Sequence, residues 1–521
     1  MASSTARTVT LSPLDQYMPR IYTNLFLVFE TPSPTLAVEK LRAGLQRLNQ
    51  HLPYLKGRVF ASGGGRVGLR WSLADKDVEL QDMPSRGKPL SELSFAKLKN
   101  EGAPLQYFPC SLSPLPRFID LNSDVGAPVF AVNFALLDSG IVLGLSVQHN
   151  VMDGTGVVEL IRLWATCTRF ESSDAVATAY PDPEEPLHRT VSLRLATGGH
   201  SLHNSRHHQS GQATLSDDTF NDLLARHPEF AITPKSAATA VNPPTSSPAL
   251  HPGTSRIFTF AASKLEAVKS ALNRTQLSSA TSISVTTNSI LCALIWSCVT
   301  RVRTVRRGSG NSSKREERPR ERSAQTSRLG FAVNGRTRLF GGDYSPGSEP
   351  VLHSRDGQRR PFLGNVNLYG LATMSVSALV QSASAIGDWS NLAIVIDTIG
   401  HAIKRVTPQH VAEVMDMVEQ APDTGIIMPG WNSFHGLDLT VTSWANMDLY
   451  EADFGEGVGK AELMRVPRAE TDGFALVLPR KRKVSGAGAE RAEEGIEVVL
   501  VMHAEDMATL ERDAVWASFL V

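Results

Sequence analysis

The chain has 521 residues, with 52 basic and 52 acidic side chains and a sequence pI near 7.3. That length exceeds the roughly 250–300 residues at which single cores stop growing, so two or more domains are expected. The balanced charge excludes a global pull toward nucleic acid or an anionic membrane. The cysteines, Cys110, Cys167, Cys292 and Cys298, have neither metal-site spacing nor disulfide density and read as core thiols of a reducing compartment. No apolar run approaches the roughly 20 residues needed to span a bilayer, and MASSTARTVT lacks the apolar core of a signal peptide; a cytoplasmic location is expected.

In chain order, Leu11-Ser12-Pro13-Leu14-Asp15-Gln16 leads into a strand over Asn24 to Glu30. A helix follows, entered through Ser33-Pro34 and closed by Pro53, with Val38, Leu41, Leu45, Leu48 and Leu52 on one stripe. Tyr54 to Val59 then turns through Gly63-Gly64-Gly65. Phe130 to Leu137 and Ile141 to Val147 read as a hairpin closed by Asp138-Ser139-Gly140. Beyond it stands Gln148-His149-Asn150-Val151-Met152-Asp153-Gly154, and after that Val157, Leu160, Ile161 and Trp164 recur at helical spacing. His149 therefore sits where a strand stops and a helix begins, held by rigid elements on both sides, as a general base must be. Asp153, past a turn and beside a glycine, is better placed to fix local geometry than to attack.

From 180 to 255 the composition shifts to Pro, Ser, Thr, His and Gly, which reads as a partly disordered crossover. His200, His203, His207 and His208 lie in it; with no cysteine or carboxylate partner nearby they read as a solvated loop, not a metal site. A second domain opens with a strand at Arg256 to Phe260, a helix striped by Leu265, Val268 and Leu272, and Ser284 to Trp296, where Thr287 and Asn288 are natural caps. Residues 301–328 form a basic, Ser- and Arg-rich run expected to be a flexible insertion. LGFAVNGRTRL (329–339) and FLGNV (362–366) follow, then helices over 378–386, 392–404 and 408–418. Thr442-Ser443-Trp444 leads to Tyr450-Glu451-Ala452-Asp453-Phe454-Gly455-Glu456-Gly457, and the basic 479–484 run reads as a hairpin loop. The spacing Gly455 to Gly459 imitates a nucleotide loop but lacks its strand-loop-helix context.

The strand-His-x-x-x-Asp-Gly-helix unit, the opening SPLDQ, the NGR strand with its following Gly-Asn, and the DFGEG loop occur in an order that resembles the BAHD branch of the CoA-dependent acyltransferases, whose fungal members include the trichothecene 3-O-acetyltransferases. The match runs from Ser12 to about Met507. It implies an α/β protein of two pseudo-equivalent chloramphenicol acetyltransferase-like domains, each a mixed β-sheet with flanking helices, around a central channel. Residues 1–179 would carry HxxxDG, 180–255 the linker, and 256–521 the DFGxG domain. It further implies His149 as the catalytic base supported by Asp153, with Arg336 crossing to pair with Asp153; Asn334 stands where aspartate is usual. Asp453, Gly455 and Gly457 would be structural, Glu456 replacing the usual tryptophan, and Ser443 or Trp444 would serve the oxyanion or the channel.

The implied reaction moves an acyl group, acetyl by analogy, from acyl-CoA to a hydroxyl, or an amine, of a small molecule such as a fungal secondary metabolite. Acyl-CoA is then a co-substrate; no permanently bound cofactor, metal, nucleic acid or membrane partner is expected, and the protein is expected to be a monomer. No Gly-x-Ser-x-Gly elbow accompanies the histidine, which argues against a serine nucleophile. Two other readings stay open: a condensation-type transfer from a carrier-bound thioester, although Gln148 stands where such domains carry a second histidine, and a non-catalytic acyl-CoA-binding relative.

Overall fold

The computed structural model describes residues 6–83, 93–119, 121, 125–170, 182–198, 219–233, 253–274, 285–309, 325–340, 351–353, 359–384, 387–433, 436–481 and 495–521. The run GIVLGLSVQ, apolar nearly throughout, becomes the strand Gly140–Gln148, buried along its whole length. It pairs antiparallel on one side with Tyr22–Glu30, in the register Tyr22↔Gln148 to Glu30↔Gly140, and on the other with Phe130–Leu137. Leu80–Asp82 joins parallel to the latter, and Leu463–Arg465 returns from the far end of the chain to pair with Tyr22–Glu30. The result is a five-stranded mixed sheet whose central strand delivers His149 at its end.

A second mixed sheet has six strands in the order Gly253–Ala261, Gly495–His503, Phe474–Val477, Leu439–Ser443, Thr326–Asn334, Asn367–Ser375. The contacts of Leu439–Ser443 with Phe474–Val477 and with Thr326–Asn334 are parallel and the rest antiparallel. Its core is filled by the helix Thr287–Ser309, whose Trp296 is fully buried, and by Ser390–Arg405 and Pro408–Gln420. The first core lies between the five-stranded sheet and two helices, Pro34–His51 and Gly154–Arg169. Among the described residues no helix is long and apolar enough to cross a membrane.

Each half borrows from the other. Leu14, Tyr17 and Met18 pack into the second core, and Trp444, Tyr450, Phe454 and Met464 into the first. The boundaries expected at 180 and 256 are thus crossed in both directions.

Several local expectations are corrected. The basic run expected to be flexible over 301–328 instead begins inside the helix Thr287–Ser309 and ends inside the strand Thr326–Asn334. Arg303 is fully buried and pairs with Asp472 at 2.7 Å, while Arg301 pairs with Asp513. Partners this remote in sequence leave no local trace, and the rest of the run lies outside the described residues. The crossover contains the helices Glu185–Ala196 and Phe220–Arg226 and the strand Phe230–Ile232. The four histidines at 200–208 lie outside the described residues. Leu329 to Leu339 is a strand only as far as Asn334, because Asn334 Oδ1 accepts the Arg336 amide at 3.1 Å and starts the short helix Arg336–Leu339. Cys110 is exposed in a single helical turn and not in a core; Cys167, Cys292 and Cys298 are buried.

Candidate active site

His149 follows directly on the strand Gly140–Gln148 and precedes the helix Gly154–Arg169. Its backbone is fixed from both halves: the amide donates to the Ile21 carbonyl at 2.9 Å, and the carbonyl accepts from Asn365 Nδ2 at 2.9 Å. The side chain is half-buried. Nδ1 is enclosed and makes no hydrogen bond of normal geometry, and Nε2 has no hydrogen-bond partner among the described residues. Burial lowers the imidazole pKa from its ordinary 6.5; its own carbonyl, the Asp153 charge and the Asn365 amide oppose that shift only in part. At neutral pH the ring is therefore uncharged and able to accept a proton.

Asp153 points away from that reaction. It is the N-cap of Gly154–Arg169, with Oδ1 accepting the Gly156 amide at 3.0 Å. Oδ2 accepts the Val366 amide at 2.9 Å. Arg336 closes on both oxygens, Nη1 to Oδ2 at 2.8 Å and Nη2 to Oδ1 at 3.0 Å, a bidentate pair buried on both sides. Burial alone would raise the carboxyl pKa, but the Arg336 guanidinium and the two amides hold it below the usual carboxylate value of 3.8. The remaining guanidinium donors go to the carbonyls of Phe362 and Gly364 and to Asn334 Oδ1. Asp153 has four donors and no acidic proton to give, so it is a strut and not a base.

A second buried network stands behind His149, made of residues to which no role was assigned from sequence. Asp15, in the SPLDQ turn, accepts from Ser12 through Oδ2 at 2.7 Å and from Asn365 Nδ2 through Oδ1 at 2.7 Å. Asn365 thereby bridges Asp15 and the His149 carbonyl. Asn150 Nδ2 donates to the carbonyls of Asp15 (2.8 Å) and Met18 (2.9 Å), fixing the turn after the histidine. From the crossover helix Glu185–Ala196, the buried Arg189 donates to the Val151 carbonyl at 2.7 Å and pairs with Glu185 at 2.9 Å, while Glu185 accepts the Gly364 amide at 3.1 Å. The SPLDQ turn and the Gly-Asn pair were visible as motifs; what concealed their function is that Asn365 meets the histidine at its backbone carbonyl and Asp15 acts only through Asn365, contacts that leave no local signature.

Of the other expected residues, Trp444 comes to the motif. A Cβ on Gly154 would lie 2.9 Å from Trp444 Nε1, so only glycine lets the indole approach the helix start. Trp444 Nε1 and the Ser443 hydroxyl have no hydrogen-bond partner among the described residues, and Ser443 ends the strand Leu439–Ser443 beside it. Asp453, Gly455 and Gly457 are not brought to the histidine. Asp453 lies 3.6 Å from Arg169, at the other end of the 16-residue helix Gly154–Arg169, about 22 Å away at 1.5 Å rise per residue. There Phe454 packs edge-on against Phe29 and Trp164, and the Gly457 carbonyl accepts from Thr31 at 2.8 Å.

The chain matches the model of the Transferase family over residues 2–343 and 361–516. It is 30% identical, over 99% of its own length and 98% of the relative's, to a trichothecene 8-O-acetyltransferase of Fusarium sporotrichioides. An O-acetyltransferase, ptmV, of Penicillium ochrochloron is 24% identical over 98% of this chain and 96% of the relative. Among solved structures, F. sporotrichioides TRI101 complexed with coenzyme A and T-2 has the same fold, with a TM-score of 0.66 at 19% identity over 98% of this chain and 99% of that one.

Proposed function

The chain belongs to the Transferase family, the BAHD-type acyltransferases, and transfers an acyl group from acyl-CoA to a hydroxyl; from that premise we propose that His149 is the general base of the transfer and that acetyl is the group moved. His149 takes the proton of the acceptor hydroxyl, the oxygen attacks the thioester carbonyl, and a tetrahedral oxyanion forms. As the intermediate collapses the C–S bond breaks, and the imidazolium returns its proton to the departing CoA thiolate. Trp444 Nε1 or the Ser443 hydroxyl, both without an acceptor among the described residues, donates to the oxyanion. Asp153 and Arg336 hold the helix start against the segment 362–366, so the imidazole keeps its aim without meeting a substrate itself.

The observation that carries this reading is a half-buried, uncharged imidazole whose Nε2 has no hydrogen-bond partner among the described residues, fixed by its backbone to both halves of the molecule. The relatives' names support an acceptor among hydroxylated fungal secondary metabolites, with trichothecene alcohols the first to try. Four free cysteines support a reducing, cytoplasmic setting. The test is to incubate purified chain with acetyl-CoA and a panel of trichothecene alcohols, reading free thiol and product mass. Acetylated product formed from free acetyl-CoA is expected. Transfer only from a carrier-bound thioester, or acetyl-CoA binding with no turnover on any alcohol of the panel, would contradict the reading.

A further inference from the structure

The crossover meets the helix Pro408–Gln420 in a cluster of side chains that acyl transfer does not use. His227 caps the helix Phe220–Arg226, Glu229 lies in the turn that enters Phe230–Ile232, and His410 stands in the first turn of Pro408–Gln420. All three are buried, at 2%, 2% and 9% exposure. One carboxylate oxygen, Glu229 Oε1, lies 3.0 Å from His227 Nδ1 and 3.2 Å from His410 Nε2, and the three donor atoms fall within 4.8 Å of one another. The rings meet edge to face with centroids 4.7 Å apart. Neither His227 Nε2 nor His410 Nε2, both enclosed, makes a hydrogen bond of normal geometry.

A buried polar atom without a hydrogen bond costs about 1–3 kcal/mol, so His410 Nε2, which faces the cluster, calls for an explanation. A tetrahedral zinc ion with bonds of about 2.0–2.1 Å sets its ligand atoms roughly 3.3 Å apart, close to the spacing seen here. We propose that His227, Glu229 and His410 bind one divalent transition-metal ion, zinc foremost, with solvent in the fourth position, and that the ion clamps the crossover to the second half. Two imidazoles and a carboxylate are borderline-soft donors that suit zinc over calcium or magnesium. Glu413 Oε2 lies 3.3 Å from His227 Nε2, the nitrogen turned from the ion, where an outer carboxylate orients a ligating histidine. Arg405 sits 3.9 Å from Glu229 Oε2, the oxygen the ion leaves over, and Arg226 sits 3.9 Å from Glu413.

The test is zinc titration of the full chain after EDTA dialysis, read by metal analysis, by thermal midpoint and by the visible spectrum of the cobalt(II) form. One zinc per chain, a midpoint raised by zinc and lowered again by EDTA, and a tetrahedral nitrogen/oxygen cobalt spectrum are expected. Glu229→Gln and His410→Gln each weaken binding at least a hundredfold, and Glu413→Gln weakens it about tenfold. A chain carrying His200→Gln, His203→Gln, His207→Gln and His208→Gln keeps the wild-type stoichiometry. A wild-type chain that takes up no zinc, His410→Gln with unchanged affinity, or loss of the ion in the fourfold variant overturns the proposal. The cobalt spectrum is read on wild-type protein and does not depend on any variant folding.

Discussion

The two ends of the helix Gly154–Arg169 carry the two family motifs and are built on opposite terms. At its N-terminus Asp153 is buried, bidentate with a buried Arg336, and bonded to two amides from opposite halves of the molecule. At its C-terminus Asp453 reaches Arg169 at 3.6 Å with both side chains substantially exposed, and the loop is held by Phe454 and by backbone conformation. One aspartate–arginine pair is thus a strut that aims the base, and the other is a surface contact beside a folded turn. The difference teaches that motif membership alone does not place a residue in the chemistry; its burial and its distance from His149 do.

The comparison can be broken or sharpened by four substitutions, taken from the largest effect. His149→Ala is expected to lower kcat/KM about a thousandfold, the general-base contribution, with the thermal midpoint unchanged; steady-state thiol release alongside a melting curve checks both. Asp153→Asn strips the charge from a buried pair and leaves Arg336 uncompensated, which costs about 3 kcal/mol in urea unfolding and reduces turnover in the protein that still folds. Its pH dependence has a definite sign. The Asp153 pKa is depressed below 3.8, so its contribution is present above that value and is lost as the pH falls through the folded pKa, and the wild-type advantage over Asp153→Asn should vanish in acid.

At the other end, Gly455 has φ +86°, a conformation that side chains resist, and a Cβ there would lie 3.0 Å from Arg169. Gly455→Val is expected to cost about 2 kcal/mol of stability, with turnover per folded molecule retained. Asp453→Asn should cost under about 1 kcal/mol, as exposed pairs do, and leave kcat/KM untouched. If Asp453→Asn cut turnover as deeply as Asp153→Asn, the two ends would not differ in kind.

Much of this frame was legible in the chain. The nine buried residues of Gly140–Gln148, the hairpin before it and the apolar stripe after it place His149 at a strand-to-helix junction by pattern alone. The Asp153–Arg336 pair spans 183 positions, and only the resemblance suggested it. What stayed hidden are contacts made through backbone or across long separations. Asn365 reaches His149 by its carbonyl, Arg189 reaches Val151 the same way, and Leu463–Arg465 is too short to show a period before it pairs with Phe26 to Val28. The polar composition of the crossover likewise masked Glu185–Ala196, whose buried face holds the Glu185–Arg189 ion pair beside Pro186 and Leu193.

The most direct measurement of the central claim is the pH profile of kcat/KM for acetyl transfer by the wild-type enzyme and by His149→Ala. With the half-buried imidazole as base, wild-type activity should fall on the acid side with an apparent pKa below 6.5, and the residual activity of His149→Ala should lack that limb. An acid limb of the same midpoint in both proteins would assign the base to another group and contradict the account.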